Sequence, residues 1–158
     1  MQVCLIQSLK DNQSILLNQQ AADWEQAIKI GTDLLEKSGA ITSNYYPTII
    51  KSVKELGPYV ILAPGLAMPH ARPEDGVNKT AFALVTLETP VLFPGEEDPV
   101  SALVTLAGAD ANSHGNALKQ IADLFDDEEC DSGVNLDRVL KCSTVEQVLE
   151  TLNKYANN

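Results

Sequence analysis

Two apolar stretches, Thr80 to Leu87 (TAFALVTL) and Val100 to Ala107 (VSALVTLA), constrain this chain more than any other feature. Each is apolar at alternate and at intervening positions, so each needs cover on both faces. Their length and flanking Pro or Gly favour strand over buried helix. A sheet buried on both sides requires helices above and below it, and the rest of the sequence offers them. Ala22 to Lys37 reads as a helix, with Trp24, Ala27, Ile28, Gly31, Leu34 and Leu35 on one face, an Asp23–Gln26 capping pair at its start and Gly39 as its stop. Asn44 to Leu56 reads as a second helix, its buried stripe Tyr46, Ile49, Ile50 and Val53, ended by Gly57-Pro58. Ser113 to Leu124 is a third, with Leu118, Ile121, Leu124 and Phe125 inward. Leu136 to Leu140 is a short fourth. A fifth carries Val145, Val148, Leu149 and Leu152 at helical spacing after Ser143 as N-cap and Glu146 as its capping-box partner. Short extended pieces fall at Ser14 to Asn18 and Val60 to Ala63, and loops at Thr89 to Pro99 and Asp126 to Asn135. The predicted fold is an α/β single-domain sandwich with a central mixed sheet flanked by helices.

A length of 158 residues suits one domain with its own core, expected to span residues 1–158 with its core at about 8–156. The net charge of -11 repels phosphate backbones, which argues against nucleic acid as a partner and suits a partner with a basic face. Met1 to Lys10 is too short and too polar for a signal peptide. No apolar run reaches the roughly 18 residues of a membrane helix, so a soluble cytoplasmic protein is expected. Cys4, Cys130 and Cys142 match no disulfide framework and no zinc spacing.

The chain has two histidines. His70 lies in Ala63-Pro-Gly-Leu-Ala-Met-Pro-His70-Ala-Arg-Pro, where Pro64, Pro69 and Pro73 stiffen the backbone and Pro69 pushes Met68 toward an extended conformation. Such a histidine belongs in a rigid loop or edge strand, the placement a nucleophile needs. Neutral imidazole is nucleophilic near pH 7 and can take a phosphoryl group on one nitrogen while a hydrogen bond fixes the other. The competing reading is a structural or surface histidine. His114 follows Asp110-Ala-Asn-Ser at a helix start, where anions are favoured. It can donate to a phosphoryl oxygen or be a plain polar residue of the first turn. Lys54 and Arg72 are candidate phosphoryl-stabilising cations. Arg72 shares the face of His70 on an extended segment and can equally pair with Glu74 or Asp75. Asp127, Glu129 and Asp131 alternate like a calcium loop, but Gly133 falls one position late. A two-histidine zinc site lacks a third ligand, and no phosphate-binding or hydrolase motif is present.

The stretch APGLAMPHARPEDGV, Ala63 to Val77, resembles the active-site segment of the mannitol/fructose-type A components of the phosphoenolpyruvate-dependent sugar phosphotransferase system, and within them the ascorbate branch, where Pro-His is followed by Arg-Pro-Glu. The similarity takes in WEQAIKIGTDLL, the Gly-Pro-Tyr after the second helix, TAFALVTLETP, the DANSH element and the capped last helix. The resemblance implies that the histidine phosphocarrier protein HPr phosphorylates His70 on Nε2. His70 would then pass the group to a cysteine of the cognate B component, which phosphorylates a sugar, L-ascorbate by this variant, at the membrane C component. It implies no metal or organic cofactor. It matches His114 to a second histidine near the phosphoryl group and Lys54 to an arginine that binds it; whether Lys54 or Arg72 does so here stays open. Pro64 stands where mannitol-type relatives have an acidic residue. CDSGVN, Cys130 to Asn135, reads as an inserted surface loop with no bearing on phosphorylation. Domains of this fold also serve as phosphorylation-dependent regulatory or sensor modules. No fused regulator follows within the 158 residues, which favours the transport role.

Overall fold

A computed structural model describes residues 3–156. Its centre is a five-stranded mixed sheet in the order β1 (Ile15–Gln19), β4 (Ala81–Val91), β5 (Val100–Ala107), β3 (Leu66–Ala67), β2 (Ile61–Ala63). β4 runs parallel to β1 and antiparallel to β5, β5 runs parallel to β3, and β3 pairs with β2 as an antiparallel hairpin. Six helices cover it: α1 (Leu5–Asp11), α2 (Trp24–Lys37), α3 (Tyr45–Leu56), α4 (Ser113–Phe125), α5 (Asp137–Leu140) and α6 (Val145–Ala156).

The two central strands divide the core by their two-residue alternation. Phe82, Leu84, Ala102, Val104 and Leu106 face a layer built with α1, α4 and α6. Ala81, Ala83, Val85 and Leu103 face the layer of α2 and α3. The second face is the smoother one, and α2 sits close to it. A Cβ on Gly31 would overlap the Thr105 hydroxyl, so only glycine permits this approach. Thr105 is itself fully buried there, with its hydroxyl unpaired among the described residues.

Local signals account for most of the boundaries. Asp23 accepts from the Gln26 backbone N–H at 2.9 Å, and Gln26 Oε1 accepts from the Ala22 N–H at 3.0 Å, which fixes the start of α2. Gly39 and Gly57, at φ +83° and +90°, end α2 and α3. Several details depart from expectation. α1 is absent from the sequence reading because two turns with Leu5, Ile6 and Leu9 inward are too short for a periodic signal. β3, two residues long, escapes for the same reason. β4 continues to Val91, past the expected end. The last helix is capped one residue later: Thr144 Oγ1 accepts from the Gln147 N–H, and Gln147 Oε1 from the Thr144 and Ser143 N–H groups, so the box is Thr144–Gln147 and not Ser143–Glu146. Leu118 is exposed, and Ala117 takes the inward place assigned to it. In α3 the fully buried aromatic is Tyr45, while Tyr46 is half-buried.

Candidate functional site

His70 lies on the irregular segment that leaves β3 and runs beside the end of β5. Every residue from Met68 to Arg72 has its backbone tied. Met68 N–H donates to Val60 O at 2.7 Å, and Leu106 N–H donates to Pro69 O at 2.9 Å. Tyr59 donates its hydroxyl to His70 O, and Ala71 N–H donates to the Tyr45 hydroxyl at 3.0 Å. Arg72 N–H donates to Asp75 Oδ2 at 2.9 Å. Tyr45 also donates to Leu106 O at 2.6 Å, so one buried hydroxyl joins the histidine segment to β5. A turn at Pro73–Asp75 and Gly76 then carries the chain back, with Thr42 N–H donating to Gly76 O at 2.8 Å. Gly76 has φ +124°, and a Cβ there would overlap Thr42 Oγ1.

The imidazole is oriented as firmly as its backbone. His70 Nδ1 lies 2.7 Å from Met68 O. A carbonyl can only accept, so Nδ1 carries the proton and the lone pair is on Nε2. Tyr59 meets the ring edge-on with centroids 5.2 Å apart. Burial lowers the His70 pKa from 6.5; the bond to the Met68 carbonyl opposes this, and nearby His114 adds to the lowering. Near neutral pH the ring is therefore the uncharged, nucleophilic form.

His114 stands across from it, ring centroids 4.9 Å apart. It is an exposed residue in the first turn of α4. Asp110 fixes that turn by accepting from the backbone N–H groups of Asn112 and Ser113, both at 3.0 Å, and from the Ser113 hydroxyl at 2.9 Å. These bonds hold the Asp110 carboxyl below its ordinary pKa.

The structure thus brings together the two histidines that the sequence singles out. It places the two cations differently. Arg72 is close along the chain but exposed, with Nε 3.4 Å from Asp75 Oδ2. Lys54 lies on the side of α3 toward α2, 3.7 Å from Glu25 Oε1. Ser52, two residues away and so about 200° round the helix, is the α3 residue whose side chain faces the Tyr59 hydroxyl. Both cations are exposed, and pairs made by exposed cations are worth about 0–1 kcal/mol, so neither pair holds its cation in place. Tyr59, Met68 and Asp110 fall in the Gly-Pro-Tyr, APGLAMPHARPEDGV and DANSH stretches but receive no role from the sequence, and Tyr45 falls in none; Met68 and Asp110 act on residues two and three positions away, whereas Tyr45 and Tyr59 act across the fold. Among the described residues no group of three or more His, Cys, Asp and Glu gathers to hold a metal ion, and no helix is long and apolar enough to cross a membrane.

The profile of the family described as "Phosphoenolpyruvate-dependent sugar phosphotransferase system, EIIA 2" matches residues 8–155. The chain is 48% identical over 149 residues to the ascorbate-specific PTS system EIIA component of Shigella boydii, covering 93% of this chain and 94% of that one. It superimposes on the crystal structure of a PTS IIA named PtxA from Streptococcus mutans with a TM-score of 0.89 at 41% identity, covering 99% of this chain and 97% of the other. The IIA protein of the Escherichia coli mannitol system, in a complex with phosphorylated IIB, aligns with a TM-score of 0.74 at 26% identity, covering 89% and 94%. A match of this length and identity, on a fold with the same layers, settles the family: the chain belongs to the EIIA 2 family of the phosphoenolpyruvate-dependent sugar phosphotransferase system.

Proposed function

We propose that the chain is a cytoplasmic phosphoryl carrier that accepts a phosphoryl group from phospho-HPr on His70 Nε2 and donates it to the B component of an ascorbate-specific system. The observation that carries this reading is the Met68 carbonyl on Nδ1, which leaves Nε2 as the free lone pair beside His114. In the first step that lone pair attacks phosphorus while the P–N bond to the HPr histidine breaks, its electron pair returning to the donor ring. In the second, a cysteine thiolate of the B component attacks the same phosphorus and the bond to Nε2 breaks. Transfer of this kind asks the protein for positioning and charge rather than for new covalent chemistry. His114 donates a hydrogen bond to a phosphoryl oxygen. Arg72, two residues from His70, is the cation best placed to turn from Asp75 to the phosphoryl group. Lys54 would first have to leave the α2 side of its helix. The substrate assignment follows the ascorbate-specific relative at 48% identity; the B-component assignment follows the mannitol-type complex.

The test is phosphoryl flow from phosphoenolpyruvate through purified enzyme I and HPr, read by intact mass. Wild type should gain one phosphoryl group, labile in acid and stable in base, and His70→Ala should gain none. A wild type that gains none beside a working control A component would refute the reading.

A further inference from the structure

Between α4, whose first turn carries His114, and the β2–β3 hairpin that precedes His70 lies an open hollow of about 670 Å³. Leu62, Leu66, Leu118 and Ala122 form its floor, and Asp126 and Glu128 stand on its rim. Asp127 also lines it, but its carboxylate is held by Asn135 Nδ2 at 3.2 Å and by Arg138 at 3.5 Å. Asp126 and Glu128 are exposed and form no ion pair among the described residues, and no lysine or arginine lines the hollow. An apolar floor under uncompensated negative charge fits a segment that brings one or two apolar side chains flanked by Lys or Arg.

The lining of the hollow runs along the two elements that lead to the histidines. Leu118 is one turn beyond His114 on the same helix, about 6 Å of rise, and Ala122 is one turn further along the same face. Leu66 precedes His70 by four residues, at most about 13 Å of extended chain. We propose that this hollow is the docking surface for the B component, engaged by a basic and apolar segment of that protein while its cysteine meets His70. The inference rests on the phosphoryl-carrier reading for the identity of the partner. It also gives the 126–134 loop a role in partner recognition that the sequence does not suggest.

Two measurements test it. The first is the rate of transfer from the phosphorylated chain to an ascorbate-type B component as B concentration rises, for wild type, Asp126→Lys/Glu128→Lys and Leu118→Glu. The variants should raise KM for the B component about tenfold or more while leaving kcat near wild type, and the double-lysine variant should flatten the dependence on salt. His70 in each variant should take a phosphoryl group from phosphoramidate, a donor too small to need docking, as fast as wild type does. The second is titration of the B component into the unphosphorylated His70→Ala chain with and without the two lysine substitutions, which needs no transfer. Weaker binding in the substituted chain supports the surface even if His70 proves not to carry phosphate. Unchanged KM and unchanged binding overturn the proposal, as does a KM rise confined to phospho-HPr, which would assign the hollow to the donor.

Discussion

The segment around His70 and the first turn of α4 that carries His114 meet ring to ring, 4.9 Å apart, yet they are built on different terms. From Met68 to Arg72 every backbone unit is bonded, twice through tyrosine hydroxyls, and the ring is fixed at Nδ1. His114 is exposed, and its turn is held by the surface carboxylate of Asp110. The difference follows from the tasks we assign to them. A nucleophile that serves two partners must present the same atom to both, and misplacement costs orders of magnitude in rate. A residue that only follows the phosphoryl oxygens gains from freedom to adjust.

The sharpest way to break this contrast is Tyr45→Phe. The change leaves Leu106 O and Ala71 N–H without their partner in the interior. Unmet buried groups cost about 1–3 kcal/mol, and for a chain of this size each kcal/mol moves Tm by about 2–4 °C. Thermal melts should therefore fall by several degrees, and phosphorylation of His70 should slow. Tyr59→Phe should cost less, because the His70 segment is half-buried and water can reach the freed carbonyl. If Tyr45→Phe melts like wild type, the buried clamp is not what holds the nucleophile.

Next in size is His114→Ala. An exposed first-turn side chain contributes little to folding, so Tm should stay within about 1 °C. The first phosphorylation should persist, because Nε2 is untouched. Onward transfer should slow by roughly 10²-fold, the usual loss when one donor to a transition-state oxygen is removed. Single-turnover transfer to the B component measures it, and a normal rate would take His114 out of the mechanism.

How far the sequence reveals this site depends on the range of the interactions involved. The two apolar strands and the amphipathic helices are periodic, and their burial on both faces of one sheet follows from that pattern alone. His70 stands out because three prolines bracket it, and His114 because a helix starts there. The clamp does not stand out. Tyr59 reaches His70 and Tyr45 reaches Ala71 beside it across turns whose geometry no local pattern encodes, and Tyr45 sits beside Tyr46, which the periodicity puts inward in its place. Leu118 is misassigned for a related reason: a stripe of apolar residues does not distinguish the side chain at the edge of the core from one that walls a surface hollow. Lys54 and Arg72 show the limit for charges, whose partners, Glu25 and Asp75, become visible only in the fold.

The smallest effect expected is on pH dependence, and it probes whether the two rings sense each other. Only neutral imidazole attacks phosphorus, and burial holds the His70 pKa below its ordinary 6.5. The rate with phosphoramidate should therefore stay flat at neutral pH and above, then fall as pH drops through a midpoint lying under 6.5. Stability should follow the same sign. Below pH 6.5 the unfolded chain takes up a proton that folded His70 resists, so the part of stability owed to the neutral ring is complete above 6.5 and is lost as pH falls toward the folded pKa. Replacing His114 by Ala removes the electrostatic influence by which it lowers the His70 pKa and opens the His70 ring to water. Both changes ease protonation of His70, so both move the midpoint up toward 6.5. The rate profile in His114→Ala, or the His70 ring resonances followed by NMR titration, reads the shift directly. A midpoint that stays in place would mean the rings face each other without electrostatic coupling, and the role of His114 would then reduce to its hydrogen bond to the phosphoryl oxygen.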